Sequence, residues 1–404
     1  MITVNKLLAR LRRADCTPLL LCWATAVFYA FFCLHIGKSP VGHSGYYTYT
    51  LQALAWRNGQ ICLERDYPWL ELAIFEGKYF VSFPPVPSIP LFLFTFITGG
   101  NTPDHLLVKL YVLGGCLAID RMLRRAGYDK HSALAFAMLC SFASCLLALT
   151  TDGAVWYQAQ TLAYLLTCLA LMLMRRGHPT PALLCYALAV GCRPFNALYG
   201  LPLFILYAAQ CRQQKLPFKS AVMRILPGVI LGLLVACAYG WYNYIRFGNA
   251  FEFGHNYLPE FSTQGGVQFS LRHIGKNSKT FILGWPFGKG AEGWELNKFG
   301  FSFFLANPAL LLLLCWLMID AAKRRFTLPK GVLLACFLLH LLLLLMHRTF
   351  GGYQFGARYT CDLLPYAALY LTLDGHARRM HAAEVAVLIA AFAFAVYGAA
   401  TILL

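Results

Sequence analysis

Residues 1–37 read MITVNKLLARLRRADC followed by TPLLLCWATAVFYAFFCLHIG. The first part carries Lys6, Arg10, Arg12 and Arg13. The second, Thr17 to Gly37, holds no carboxylate, lysine or arginine. A helix rises 1.5 Å per residue, so an apolar run of roughly 20 residues spans the hydrocarbon core of a bilayer. A basic flank before such a run keeps the N-terminus on the cytoplasmic side. No small-residue cleavage site follows, so the run reads as an anchor helix and not as a removable signal peptide.

The pattern repeats along the chain. Further apolar segments lie near 86–99, 106–120, 132–150, 155–174, 181–192, 197–210, 225–243, 302–319, 331–346, 363–373 and 384–404, so that about twelve exist. Hydrophobic residues make up 59% of the 404 and charged residues 13%, with a mean hydropathy of +0.57. Soluble domains carry about 25% charged residues. A soluble enzyme, a disordered chain and a secreted disulfide scaffold are excluded. The apolar runs are continuous, unlike the alternating segments of an outer-membrane barrel. The expected fold is an all-α polytopic membrane protein, a single integral domain over 1–404. Two long polar stretches, 38–85 and 244–301, interrupt the segments.

Lys plus Arg number 34 and Asp plus Glu 17, a net charge of +17. No basic run is interleaved with aromatics on a soluble module, so nucleic acid is not the partner. Basic residues instead flank helices and meet anionic lipid. The N-terminus, Arg121 to Lys130, Arg175–Arg176, Arg212 to Arg224, Lys323 to Lys330 and Arg378–Arg379 together hold 20 of the 34. With these inside, the stretches 38–85 and 244–301 both fall outside, as two long extracytoplasmic loops. From Pro85 outside to Arg121 inside the chain crosses an odd number of times, yet two apolar segments intervene. Either 86–99, with Pro87 and Pro90, or 106–120 does not fully span. About eleven crossings remain. Segments 181–192 and 197–210 are short and flank Arg193–Pro194; broken helices of this kind line water-filled cavities. The 15 Cys lie mostly in apolar segments, where they act as small hydrophobes. There is no CxxC and no Cys/His cluster at metal spacing. Cys62 and Cys361 lie in polar loops, where a disulfide between them is open but unsupported.

In the first loop, Tyr47, Leu51, Leu54, Ala55 and Trp56 recur at helical spacing, as in a short amphipathic helix on the membrane surface or a packing helix. Four carboxylates follow: Glu64, Asp66, Glu71 and Glu76. Phe75-Glu76-Gly77-Lys78-Tyr79 reads as a tight turn between extended pieces. The second loop, rich in Gly, Phe, Trp and Lys, suits sugar stacking or interfacial anchoring. Arg193, Arg348 and Arg358 break the positive-inside bias. Arginine near hydrocarbon is costly unless paired or facing a cavity, and its planar fork matches phosphate. An ion pair with Asp362 is the structural alternative for Arg358.

Four motifs carry a resemblance. The first runs from His43-Ser44-Gly45-Tyr46-Tyr47 to Glu76-Gly77-Lys78-Tyr79-Phe80 and Phe83-Pro84-Pro85. The second is Arg193-Pro194. The third is the run from Tyr242 to Gly254, YNYIRFGNAFEFG. The fourth is Gly351 to Tyr359, GGYQFGARY, followed by Leu-Leu-Pro. In this order the chain resembles the GT-C superfamily of membrane glycosyltransferases, which includes protein mannosyltransferases and aminoarabinose transferases. The resemblance implies transfer of a sugar from a polyprenyl-phosphate donor on the outer face of the membrane, with inversion, and a carboxylate base in the first outer loop; the outer-face site and the absence of eukaryotic-looking tails point to a bacterial plasma membrane. Many relatives carry an acid near where His43 stands; this chain has none from Leu34 to Cys62. Gln158 stands where relatives often carry Glu.

Such a transfer needs a base for the acceptor hydroxyl and a cation for the leaving phosphate. Glu71 is the first candidate base and Asp66 the second; the apolar stretch Tyr67 to Leu70 between them can raise a carboxyl pKa. Arg358 is the first candidate for the donor phosphate, followed by Arg348, Arg193 and Lys78. Tyr359, Tyr353, His255 and Tyr46 are candidates for sugar or acceptor contact. No cofactor is expected, and a divalent metal is left open. Membrane lipid and an acceptor glycan, lipid or protein are the expected partners. No GxxxxGK[ST] and no DxD appears, which favours a lipid donor over a nucleotide sugar. The rival reading is a transporter or flippase of an anionic or lipid-linked substrate; it expects internal repeats, and none is visible.

Overall fold

The computed structural model describes residues 15–260, 267–290, 293–373 and 378–402. The chain divides into two compact units, Met1–Pro40 and Val41–Leu404. In the first, helix α1 spans Thr17–His35, with Pro18 in its opening turn, where a missing N–H costs nothing. The Asp15 carboxylate accepts from the Thr17 amide at 3.1 Å and from its hydroxyl at 2.6 Å.

The second unit opens with α2 (Thr48–Arg57). It is a packing helix: Tyr49, Gln52 and Ala53 are buried, and α2 lies against α3 (Ser88–Thr98). Between them β1 (Leu72–Phe75) pairs antiparallel with β2 (Lys78–Val81). Glu76 and Gly77 connect them at φ 48° and 71°. Two consecutive left-handed residues make the tight hairpin turn that matches strand twist. Helix α4 (Asp104–Arg125) follows, then α5 (Lys130–Leu139), α6 (Leu146–Leu149), α7 (Val155–Arg175), α8 (Pro179–Val190), α9 (Gly200–Gln213) and α10 (Phe218–Phe247). Helix α7 packs between α4 and α8, and α8 packs on α10. The apolar segment 132–150 is not one helix. It breaks between α5 and α6, where the Ser141 hydroxyl donates to the Ala137 carbonyl at 2.7 Å.

Beyond α10 come α11 (Ile274–Phe281), the hairpin of β3 (Phe287–Gly290) and β4 (Gly293–Leu296), α12 (Phe303–Ala306), α13 (Pro308–Ala322), α14 (Leu328–Leu345), α15 (Leu364–Tyr370) and α16 (Ala382–Thr401). Among the described residues five helices are long and apolar enough to cross a membrane: α1, α7, α10, α14 and α16. Helices α3, α8 and α13 are apolar but shorter. Helix α3, one of the two segments doubted above, has 11 residues and rises about 16 Å, roughly half the hydrocarbon thickness. Helix α10 leaves Val229, Ile230, Leu233 and Leu234 exposed, an apolar surface of the kind that meets lipid. The protein is a mostly helical, multi-pass membrane protein.

Some basic flanks are paired. Lys330 is buried with its Nζ 2.6 Å from Asp320, and Arg378 forks onto Glu384 at 2.6 and 2.7 Å. All fifteen cysteines are thiols, outside any disulfide. Cys361 is wholly buried, which corrects its assignment to a polar loop. The two long connections pack together: Arg246 donates to the Val81 carbonyl at 2.8 Å, and Phe247 stacks edge-on to Phe75 and Phe80.

Candidate active site

The two connections and several helix ends enclose a cavity of about 560 Å³. Glu71 reaches it from the residue before β1 and Trp156 from the first turn of α7. Arg193 and Phe195 come from the break after α8, and Phe251 to Glu260 from the second loop. His347, Thr349, Gly351 and Gly352 follow α14. Arg358 and Tyr359 open a 3₁₀ turn, Arg358–Leu363.

Arg358 is the main positive charge on this wall without a counterion among the described residues. Its side chain is 6% exposed, it forms no ion pair there, and its Nε has no hydrogen-bond partner. The guanidinium lies over aromatic faces, 5.4 Å from the Trp156 ring, 5.7 Å from Tyr157 and 5.3 Å from Tyr359. Its backbone is fixed by its N–H donating to Gln354 Oε1 at 2.9 Å. Gly351 is required beside it: φ is 104°, and a Cβ there would sit 2.7 Å from the Arg358 Nε.

Asp362, the alternative partner for Arg358, pairs instead with Arg193. The Arg193 Nε donates to Asp362 Oδ2 at 2.9 Å, and the carboxylate side chain is fully buried. Arg193 also lies 4.7 Å from the Tyr359 ring, so both guanidinium groups contact that ring.

Glu71 is half-buried. Its Oε2 accepts from Trp156 Nε1 at 3.0 Å. Burial raises its pKa above the usual glutamate value and Glu260 adds to this, while Trp156 and Arg358 oppose it. Glu71 and Arg358 therefore meet on one indole, the carboxylate at its N–H and the guanidinium at its face. Glu252 is committed to the loop, accepting from the Gly254 amide and the Asn256 side chain at 2.7 Å each. His255 and His347 are kept neutral, each pushed down to about 4 chiefly by burial.

The remaining sequence candidates stand elsewhere. Asp66 is exposed outside the cavity, and Lys78 is exposed at the start of β2. Arg348 is not on the wall; its amide donates to the Gln268 carbonyl at 2.8 Å. Tyr353 is 58% exposed and rests on Phe299. Tyr46 is outside the cavity lining and exposed, its ring 5.1 Å from the Trp156 ring. Gln158 turns back toward the start of its helix, donating to the carbonyl of Gly153, just before α7, at 2.8 Å.

Sequence reasoning passed over Trp156, although it stands two residues before Gln158. It also passed over a polar cluster beside Tyr46. There His43 Nδ1 is 2.8 Å from the buried Asp104, which accepts from the Thr102 hydroxyl at 2.6 Å. The Ser44 hydroxyl donates to Asp152 at 2.6 Å. Burial lowers the His43 pKa, but Asp104 outweighs it and the net shift is upward. Among the described residues no group of three or more His, Cys, Asp or Glu is arranged to hold a metal.

No family model and no curated protein matches the chain. Among solved structures it is similar to the archaeal oligosaccharyltransferase AglB from Archaeoglobus fulgidus, solved in complex with an inhibitory peptide and a dolichol-phosphate. The TM-score is 0.45 at 12% identity, over 94% of this chain and 55% of that one. The chain thus spans about half the length of that protein, and a likeness of this size assigns neither family nor activity.

Proposed function

We propose that the protein is a membrane glycosyltransferase of the GT-C type, with about eleven crossings. It moves a sugar from a polyprenyl-phosphate donor to an acceptor hydroxyl on the outer face, with inversion at the anomeric carbon. The observation that carries the reading is Arg358: a buried guanidinium on a cavity wall, without a counterion among the described residues, sharing Trp156 with a half-buried carboxylate. A buried unpaired charge is expensive, and a phosphate in the cavity would compensate it.

The chemistry follows from the two groups. Glu71 takes the proton of the acceptor hydroxyl as its oxygen bonds to the anomeric carbon. The bond from that carbon to the phosphate oxygen breaks, and the electron pair leaves with the phosphate. Arg358 holds the departing charge with its fork of N–H donors. The raised Glu71 pKa makes it a stronger base than an exposed glutamate. His255 and His347, being neutral, add hydrogen-bonding groups without competing for the phosphate.

The test is transfer from a short-chain polyprenyl-phosphate sugar by the purified protein in nanodiscs, read as release of polyprenyl phosphate. Glu71→Gln keeps the size of the side chain and a hydrogen bond but cannot accept the proton. It should retain donor binding while turnover falls about 10²–10⁴-fold. Wild-type turnover by Glu71→Gln overturns the assignment of the base. Absence of release with every such donor overturns the proposed activity.

A further inference from the structure

The second long connection ends in a feature the cavity does not use. In the β3–β4 hairpin Phe287 pairs with Leu296 and Lys289 with Trp294. Residues directly opposite in an antiparallel pair share a face, so these four lie together. Trp285, two residues before Phe287, extends the row. Trp285, Phe287 and Trp294 line an open notch of about 350 Å³. Its inner wall rests on the last span: the Phe287 ring is 6.1 Å from Phe394 and 6.3 Å from Tyr397 of α16. Leu296 is buried, whereas Trp285 is 66% and Trp294 70% exposed.

Two observations say what covers these indoles. The first is position. Phe394 and Tyr397 belong to α16, a helix long and apolar enough to cross a membrane, and indole and phenol rings beside such a helix settle at the border between hydrocarbon and headgroups. The second is charge. Between Val267 and Gly300 the chain carries Arg272, Lys276, Lys279, Lys289 and Lys298 against Glu292 and Glu295. None of the five bases forms an ion pair among the described residues. Glu295 pairs with Gly288, on the face of the hairpin opposite Lys289.

We propose that this notch seats an anionic phospholipid of the adjoining leaflet. The glycerol and upper acyl segment lie between Trp285 and Trp294, and the phosphate meets Lys289, with Lys298 adding to the field. The inference is independent of the reading of the cavity.

The test uses the full chain in nanodiscs of phosphatidylcholine and phosphatidylglycerol at 7:3, with bromine near the top of an acyl chain of one lipid or the other. Two of the eight tryptophans are isolated as the difference in fluorescence between wild type and Trp285→Phe/Trp294→Phe. That difference should be quenched, about fivefold more effectively per mole by brominated phosphatidylglycerol, the factor that one lysine at an anionic surface confers. Lys289→Gln should keep the quenching and lose the preference. No quenching of the difference signal would place the indoles in water, open to a soluble glycan or protein, and overturn the proposal. Equal quenching by both headgroups would overturn its anionic specificity. Should the double variant not assemble, native mass spectrometry of wild type and Lys289→Gln decides the matter: phosphatidylglycerol retention falls in the variant, and unchanged retention refutes the site.

Discussion

Replacing Arg358 should separate function from stability in opposite directions. The side chain is 6% exposed, has no ion pair among the described residues, and rests on three aromatic rings 5.3–5.7 Å away. Desolvating an unpaired ion costs several kcal/mol, and aromatic faces return about 2 kcal/mol. Arg358→Met keeps the length and removes the charge. It should leave the unfolding midpoint of the donor-free protein unchanged or higher. With donor, the loss is that of a charge-assisted bond or two, each worth about 1.5–3 kcal/mol. Arg358→Lys keeps the charge but not the fork, so losing one such bond lowers kcat/KM by roughly 10–150-fold. Arg358→Met should lose more. The assay pairs thermal unfolding in nanodiscs with donor turnover on the same preparations. If Arg358→Met were destabilised and still transferred sugar at the wild-type rate, Arg358 would be a structural charge and the reasoning would fail.

Arg193→Met should behave differently. It strands the buried Asp362, costing about 3–5 kcal/mol, and Arg193→Met/Asp362→Leu should recover much of that loss; no recovery in the unfolding midpoint would refute the pairing. Glu71 must be ionised to act, and burial raises its pKa, so activity should rise with pH through a limb above the ordinary glutamate range. Trp156→Phe removes the N–H that favours the charged form, so this limb should move to higher pH; an unmoved pH profile counts against the contact. The His43–Asp104 pair raises the folded pKa of His43 above its unfolded value. Its stabilisation is full below about 6.5 and is lost as pH rises through the folded pKa; a pH-dependent midpoint that persists in His43→Gln would assign the effect elsewhere. Gly351→Ala forces a Cβ against Arg358 at φ 104°, and turnover should drop with a smaller change in the amount of folded protein, both read on the purified variant.

The membrane class of this protein is a local property of its sequence. Uninterrupted apolar runs have no stable alternative to lipid burial, whatever the rest of the chain does. The Glu76–Gly77 turn was equally legible, because left-handed backbone preference is decided within two residues. Helix lengths were less so. The run 132–150 looks continuous, yet serine hydroxyls that bond back to carbonyls break it, a competition between local options that hydropathy does not register. Charge pairing was not legible at all. Asp362 lies four residues from Arg358 in sequence and was the natural partner for it, but it holds Arg193, 169 positions away. Folding brings Arg193 in from the break after α8, and that relieves Asp362 while leaving Arg358 without a counterion among the described residues. Trp156 likewise had no signal of its own. Its importance arises because α7 delivers the indole between a carboxylate from the first loop and a guanidinium from the last 3₁₀ turn. Composition and short-range turn chemistry could say where the chain lives and where it bends. Which charges are neutralised, and which are left facing the cavity, depended on contacts between residues far apart in sequence, and only the tertiary structure decides those.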